Sequence, residues 1–464
     1  MSSEFIAATA IAQKLREAGY AAYFAGGCVR DMLLGITPKD FDVATSATPD
    51  EVVKLFAKTF TVGAHFGVVL VVERDVATEV ERDVATEVER DVATEVATFR
   101  SDGAYSDGRR PDAVRFSDSP EEDVRRRDFT VNGMLLDPAV YEQTGDVAAA
   151  VLDFVGGRDD LAAGVVRAIG DASLRFAEDK LRMLRGVRFA ARFDFAIEEE
   201  TFAAMRAQAS AIHQVSCERI RDELTRMLTE GSARRAFELL DETGLLREVL
   251  PEIVKMHGVE QPPEFHPEGD VWVHTMMLLQ QLPAGCPATL AWAALLHDVG
   301  KPATFTAPSS PTDRIRFNGH VEVGVRMAEA ICARLRFSNE ETAQISALVK
   351  NHMRFGDVRA MKESTLKRFL RLENFPEHLE LHRMDCMAAH GDLSLYEFAK
   401  AAYASHPAEV VRPVLLVTGR ELIAAGYRPG ERFKEMLAFA EDAQLEGLVR
   451  TTEEAMALVR EHFC

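Results

Sequence analysis

Residues 73–96 read ERDVATEV three times in succession, and a period of eight restricts what this part of the chain can become. Eight is too short for the usual solenoid units. It is also even, so sliding a strand by one copy returns every side chain to the face it left. The β-branched Val and Thr favour strands, and the apolar run GVVLVV (67–72) stands directly before the repeats as a partner. The expectation is a hairpin in which one copy pairs with 67–72 and the other two bulge out or lengthen the ribbon. The competing form is a charged helix, with Val76, Val80, Val84, Val88, Val92 and Val96 four apart. That spacing drifts off a 3.6-residue turn.

Charge is where composition enters. The repeats supply −6 of a formal −20, set by 54 Lys and Arg against 74 Asp and Glu in 464 residues. With 47% hydrophobic residues the chain is not a disordered acidic polymer, which combines low hydrophobicity with high net charge. The acidic balance argues against nonspecific coating of nucleic acid. It leaves room for a nucleic-acid enzyme with a local basic groove, and residues 167–192 hold seven Arg and Lys against three acidic residues. The six cysteines form no CxxC pair, MSSEFIAATAIAQKLREAGY lacks a signal-peptide core, and no apolar run approaches a membrane span. A reducing cytoplasm without membrane association is the expected setting.

Length predicts about three domains. Up to about residue 140, strand and helix signals alternate. A helix is expected over 5–18, a strand over 20–27, a helix from Arg30 to Leu34 and a strand over 41–45. Thr48-Pro49-Asp50-Glu51 then combines an N-cap, a Pro at the first helical position and a capping-box Glu. Beyond 140 helical periodicity dominates. The expected fold class is α+β: a head with a mixed β-sheet over 1–140, an all-α neck over 141–250, a helical body over 251–400 and a helical tail over 401–464.

Two constellations carry chemistry. Asp40 and Asp42 in DFD share one side of a strand, where they repel unless a cation lies between them, and hard Mg²⁺ prefers such oxygen ligands. Gly26-Gly27 follows a strand and opens a helix, where bare N–H groups receive phosphate. Together they suggest metal-dependent transfer involving a triphosphate; a turn and two solvated aspartates are the plainer alternative. Further along stand His274, His297-Asp298 in LLHDVGKP, His320, His352 and Asp385. Imidazoles and carboxylates on successive helices suit a divalent metal, against the alternative of isolated structural histidines. His266 and His390 stay unassigned.

GGCVRDMLLGITPKDFD, FRSDGAYSDGRRP, EEDVRRRDFTVNGM, DFVGGRDDL, RAIGDASLRFAEDKLRMLRGVRFAARF and SCERIRDELTRML occur in this order over roughly the first half of the chain. They resemble the signature of the bacterial and eukaryotic class of tRNA nucleotidyltransferases, the CCA-adding enzymes and their bacterial poly(A) polymerase relatives. LLHDVGKP resembles the HD metal-dependent phosphohydrolase superfamily, and 419–447 the family's tail, where tRNA binding is expected. The resemblance implies that Asp40 and Asp42 bind catalytic Mg²⁺ with a third carboxylate from Glu95, or from Glu87 or Glu79 in the other copies. It places Gly26, Gly27 and Arg30 at the nucleotide and Arg127 and Asp128 at the ribose. Glu178, Asp179 and Arg182 would read the base. Asp179 and Arg182, i and i+3 on one expected helix face, offer acceptor and donor groups for a Watson–Crick edge. Arg185 and Arg188 would meet triphosphate or RNA backbone. His274, His297, Asp298 and Asp385 match the HD ligand pattern, with His320 and His352 for a second metal.

The implied activity is addition of CCA, or of the terminal A, to tRNA from CTP and ATP without a template, releasing pyrophosphate. SDGAYSDGRRP matches the flexible loop that CC-only members lack. The alternatives are a bacterial poly(A) polymerase, a phosphohydrolase acting on RNA through the HD site, and a non-enzymatic RNA-binding protein.

Overall fold

The computed structural model describes residues 2–61, 67–81, 84–102, 114–263, 269–310 and 313–463, and of 74–90 the backbone alone. The expected flexible loop falls, from residue 103 on, outside the described residues, as does His266. The chain divides into two compact units, Met1–Met227 with Arg235–Val249, and Leu228–Arg234 with Leu250–Cys464.

The first unit is built on a mixed sheet. Its strands are β1 (Ala22–Ala25), β2 (Asp42–Thr45), β3 (Thr59–Phe60), β4 (Val68–Glu81), β5 (Val84–Thr98), then β8 (Met134–Leu136) and β9 (Val151–Asp153), in the order β3-β4-β5-β2-β1-β8-β9. Between β5 and β8 the short pair β6 (Arg100–Asp102) and β7 (Val114–Phe116) forms its own ladder. Only β2 and β5 run parallel; the other neighbours in the seven-stranded sheet are antiparallel. The N-terminal helix Ser3–Glu17 buries Ala8, Ile11, Ala12 and Leu15 and sets Phe5 edge-on to Phe24 and Phe41. The helix Pro49–Leu55 starts at the expected capping box, with the Thr48 N–H and hydroxyl donating to Glu51 Oε2 at 2.7 and 2.8 Å.

Two strands correct the expected boundaries. β9 pairs with β8, so the sheet closes beyond residue 140. The neck is not all helix, because β10 (Val165–Val166) runs parallel to β11 (Ala196–Ile197). Strands of two or three residues are too short to leave an alternation that a sequence window can detect.

The repeats form the hairpin and not the helix. β4 and β5 pair continuously from Val68↔Ala97 to Glu81↔Val84. Both strands of the ladder are anchored at the end where Val68 meets Ala97. Val69 and Val71 are buried on β4, and Val96, Thr98 and Phe99 on β5, with the Thr98 hydroxyl donating to the Ala47 carbonyl at 2.7 Å. Sliding β5 by one copy would put Arg90 and Asp91 where Thr98 and Phe99 are now buried, a desolvation cost no cross-strand pair offsets. The extra copies therefore lengthen the ribbon. Past Val72↔Ala93 it continues for nine residue pairs, or roughly 30 Å at about 3.4 Å per residue. Deleting residues 73–88 leaves Val72↔Ala93 joined by a four-residue loop in the same register. The expected result is unchanged folding and nucleotide addition, read from the urea midpoint and an extension assay; insoluble protein would mean that the ribbon has become structural.

The second unit is almost wholly helical among its described residues. Helices Val271–Gln280, Ala288–Leu296, His320–Arg334, Asn339–Asn351 and Phe375–Ala388 enclose Leu278, Trp292, Leu295, Ile331, Leu348 and Leu381. The last helices, Gly419–Ala424, Glu431–Leu445 and Thr452–Phe463, share a separate small core around Leu422, Met436 and Val459. No described helix is long and apolar enough to cross a membrane.

Candidate active sites

In the first unit, β1 ends at Gly26, whose φ of 75° opens the helix Gly27–Leu33. A Cβ at this position would stand 3.0 Å from Arg127 Nη1, so both the backbone conformation and the close guanidinium select glycine. β2 begins at Asp42, and the parallel register Val43↔Val96 sets Asp42 beside Glu95. Of the three repeat copies, only the one followed by Ala97-Thr98-Phe99 lies next to β2. Asp42 is open to solvent on its strand, yet crowding by protein around the carboxyl, then the charges of Glu95 and Asp40, push its pKa up to about 6 against the pull of Arg127. Three oxygen-donor carboxylates whose charge one guanidinium does not cancel form a donor set that fits Mg²⁺.

A cavity of about 360 Å³ opens beside Asp42, with Gly26, Gly27, Arg30, Arg126, Arg127, Asp128, Arg182 and Arg185 on its wall. Each guanidinium is anchored from behind. Arg30 donates to Asp31 at 2.6 Å and to Asn132 at 2.5 Å. Arg126 and Arg127 share the buried Asp123, one oxygen each, at 2.5 and 3.0 Å. Arg182 donates to Glu178 at 2.6 Å and to the Arg126 carbonyl at 3.1 Å. Arg185 donates to Asp128 at 2.8 Å. Such bonds fix planar donors for bidentate contact with phosphate.

Burial pushes the Asp123 carboxyl up, but Arg127 and Arg126 outweigh it and hold it below the ordinary carboxylate value. Its contribution to stability is thus complete above the unfolded-state value of about 3.9 and is lost as pH falls through the depressed folded value. Asp123→Asn is expected to cost about 3 kcal/mol at pH 7, read from urea midpoints, with the gap to wild type narrowing toward pH 3. An equal gap at both pH values would contradict the ion-pair assignment.

The selector segment departs from the single helix expected. Helix Ala172–Glu178 ends at Asp179, which is extended at φ −142° and ψ 107°, and a new helix runs Leu181–Phe193. Asp179 and Arg182 therefore do not share one helix face. The Asp179 carboxylate instead accepts the Leu181 N–H at 3.1 Å and both Nη groups of Arg219 at 3.3 and 2.8 Å. An aspartate that takes an orphan N–H of the following helix breaks the chain locally without a Gly or Pro to announce it. Arg188 is also displaced from its expected place: it is buried, with Nε on Glu223 at 2.7 Å, and is absent from the cavity wall.

In the second unit the HD residues converge. His274 Nε2 lies 3.3 Å from His297 Nε2 and 3.1 Å from Asp385 Oδ1. Asp298 directs Oδ2 to within 3.2 Å of His297 and Oδ1 to within 3.8 Å of both His320 and His352. Two groups of potential ligand atoms result, His274, His297 and Asp385, then Asp298, His320 and His352, each within 4.8 Å. This regroups the expected four-plus-two arrangement, with Asp298 standing between the groups. The Nδ1 atoms of His297, His320 and His352 face the carbonyls of Ala294, Phe317 and Val349 at 2.9, 2.9 and 2.7 Å. A ring that donates Nδ1–H turns a bare Nε2 lone pair inward, the arrangement of metal-bound histidines.

Nε2 of His320 and His352 and Oδ1 of Asp298 are buried without a hydrogen-bond partner, as ligand atoms awaiting a cation would be. Burial lowers the His352 pKa to about 4, keeping the ring neutral, while burial of Asp298 is outweighed by Lys301 and His297, which hold its carboxylate ionised. Gly300 of the HDVGK turn is required by packing, since a Cβ there would stand 2.1 Å from the His320 carbonyl oxygen. The residues fit a pair of divalent metals.

Residues 22–167 match the poly(A) polymerase head domain, 194–256 the probable RNA and SrmB-binding site of polymerase A, and 270–412 the HD domain. The chain thus resembles the poly(A) polymerase and tRNA nucleotidyltransferase family in its head, in the segment after it and in its HD domain. It is 40% identical over 245 residues to the CCA-adding enzyme of Geobacillus stearothermophilus, covering 53% of this chain and 54% of that one. It is 36% identical over 283 residues to that of Lactobacillus johnsonii, covering 60% and 65%. The chain thus spans about half the length of the curated relatives it matches. Among solved structures, it is similar over 100% of its length to 98% of the Bacillus stearothermophilus CCA-adding enzyme in complex with CTP, with a TM-score of 0.71 and 27% identity. The Thermotoga maritima CCA-adding enzyme complexed with tRNA shares the fold at a TM-score of 0.54 and 17% identity.

Set against this family, sequence reasoning passed over Asp123, Asn132, Arg219 and Phe189. Phe189 lies under the guanidinium carbons of Arg30, Arg185 and Arg188 at 5.3, 5.2 and 4.4 Å. Asp123 and Asn132 stood inside the quoted EEDVRRRDFTVNGM run, and the spacing of Asp123 three and four residues before Arg126 and Arg127 is the helical contact signal that could have found it.

Proposed function

We propose that this chain adds CCA, or its terminal A, to the 3′ end of tRNA from CTP and ATP without a nucleic-acid template, releasing pyrophosphate. The observation that carries the reading is Asp42, under the charges of Glu95 and Asp40, on the wall of a cavity lined by anchored arginines. Asp40, Asp42 and Glu95 hold Mg²⁺, which when bound supplies Lewis acidity toward the attacking and leaving oxygens. Gly26 and Gly27 receive the triphosphate on backbone N–H groups, with Arg30 and Arg185 beside them. Arg127 and Asp128 recognise the ribose. Glu178, Asp179 and Arg182 read the base, Arg182 from the cavity wall and Asp179 from the break between two helices, where Arg219 holds it. The head, neck, HD body and tail act as successive parts, with the tail binding tRNA, in the cytoplasm.

A second activity is favoured by the inward Nε2 atoms of the second unit. There His274, His297, Asp298, His320, His352 and Asp385 hold divalent metal for hydrolysis of a phosphoester, such as a cyclic phosphate on an RNA end.

The test is incubation with each NTP of tRNA ending at the discriminator base, tRNA ending in CC, and unrelated RNA. Addition of C, C and A to the first and A to the second is expected. Long A tracts on all three would identify a poly(A) polymerase; phosphate release without extension would make the HD site the main activity.

A further inference from the structure

Asp298, His320, His352 and Asp385 line a cavity of about 720 Å³. A phosphoester held against metals there has further phosphoryl oxygens, and these need donors from the protein. The other donors on the wall are sorted by the bonds they already make. Lys301 Nζ is committed to Asp298 and Gln261, both at 2.7 Å. Arg316 is bonded to Asp313. His382 is stacked on Phe355 with ring centroids 4.3 Å apart and lies 3.6 Å from the Cys386 sulfur. Of the guanidinium and imidazole side chains on the wall outside the ligand groups, Arg316 and His382 each already have a side-chain partner, whereas those of Arg314 and His390 donate to no other described residue.

His390 is set apart from the ligand histidines by its tautomer. In His297, His320 and His352, Nδ1 faces a carbonyl and Nε2 is bare. In His390 the relation is reversed, because the Asp392 N–H donates to Nδ1 at 3.0 Å. A neutral ring that accepts at Nδ1 must carry its proton on Nε2. Its exposed edge is therefore a donor and not a metal ligand. Arg314 is placed by its loop. The Thr306↔Arg316 bridge closes the loop, and Asp313 accepts from the Ser309 N–H and hydroxyl and from the Arg314 N–H at 2.9, 2.7 and 2.9 Å.

We propose that His390, as an Nε2–H donor, and Arg314 bind the phosphoryl oxygens of the ester at the HD site. The proposal rests on the metal-holding reading of that site. It makes His390 a substrate-binding residue, outside both ligand groups.

The test loads the full-length protein with Co²⁺ and titrates inorganic phosphate while following the visible absorption of the imidazole-bound ion. Phosphate held by the arginines of the first unit is silent in that band. His390→Ala and Arg314→Ala should each weaken phosphate binding about ten-fold, as loss of one hydrogen bond to a charged group does, with cobalt content as in wild type. His390→Gln, which keeps an N–H donor at similar reach, should bind within about two-fold of wild type. Wild-type phosphate affinity in both alanine variants, or no phosphate response from cobalt-loaded wild type, overturns the proposal while leaving the metal site standing. Failure of wild type to take up cobalt overturns the HD reading and the proposal with it.

Discussion

Asp42→Ala, and separately Asp40→Ala, should reduce nucleotide addition by about a thousand-fold or more, the scale on which loss of a charge-stabilising group at a phosphoryl centre is felt. The raised pKa of Asp42 records that it is crowded by protein and repelled by Glu95 and Asp40. A group held in such a place destabilises the fold unless a cation relieves it, so its value lies in the reaction. The same reasoning predicts that neither substitution lowers the thermal midpoint, since each removes a repulsion. tRNA binding should persist, because the tail proposed to bind tRNA belongs to the second unit and carries neither aspartate. Extension rates, melting curves and a tRNA gel shift measured on the same preparations test all three statements. Wild-type rates in either variant would remove the head assignment.

The second large effect is expected at Asp298. Its two oxygens address the two ligand groups separately, so Asp298→Asn should lose metal at both, read as cobalt or manganese content after desalting. Loss from one group alone would show that the groups are independent. The substitution also leaves the buried Lys301 with only Gln261 as a strong partner, and a buried charge that loses its counter-charge costs about 3–5 kcal/mol. The urea midpoint of the second unit should fall accordingly. Nucleotide addition at saturating substrate should not change, because the head carboxylates and their cavity are built wholly from the first unit.

How far the site could be read in advance depended on the range of the interaction. The DFD pair, the paired glycines and the HD dipeptide are contiguous, and their chemistry follows from residue type and strand or helix period alone. Glu95 could be named, but not distinguished from Glu79 and Glu87, until burial of Thr98 and Phe99 fixed the register. The helix through Asp179 failed because the bond that ends it is a side-chain acceptance from Leu181, reinforced by Arg219 from 40 residues away. Arg188 was misplaced for the same reason: helical spacing puts it near Arg185, and only the buried Glu223 draws it away from the cavity.

Residue order by itself determined the α+β class, the hairpin preference of an even repeat, the carboxylate and imidazole inventories and the family resemblance. These rest on local preference and on short-range spacing. The tertiary structure alone decided which repeat joins the carboxylates, how Asp298 stands between two groups of ligands, which nitrogen of each histidine faces inward, and which arginines reach the cavity. Each of those is settled by burial and by partners distant in sequence, where desolvation makes one arrangement much cheaper than its neighbours.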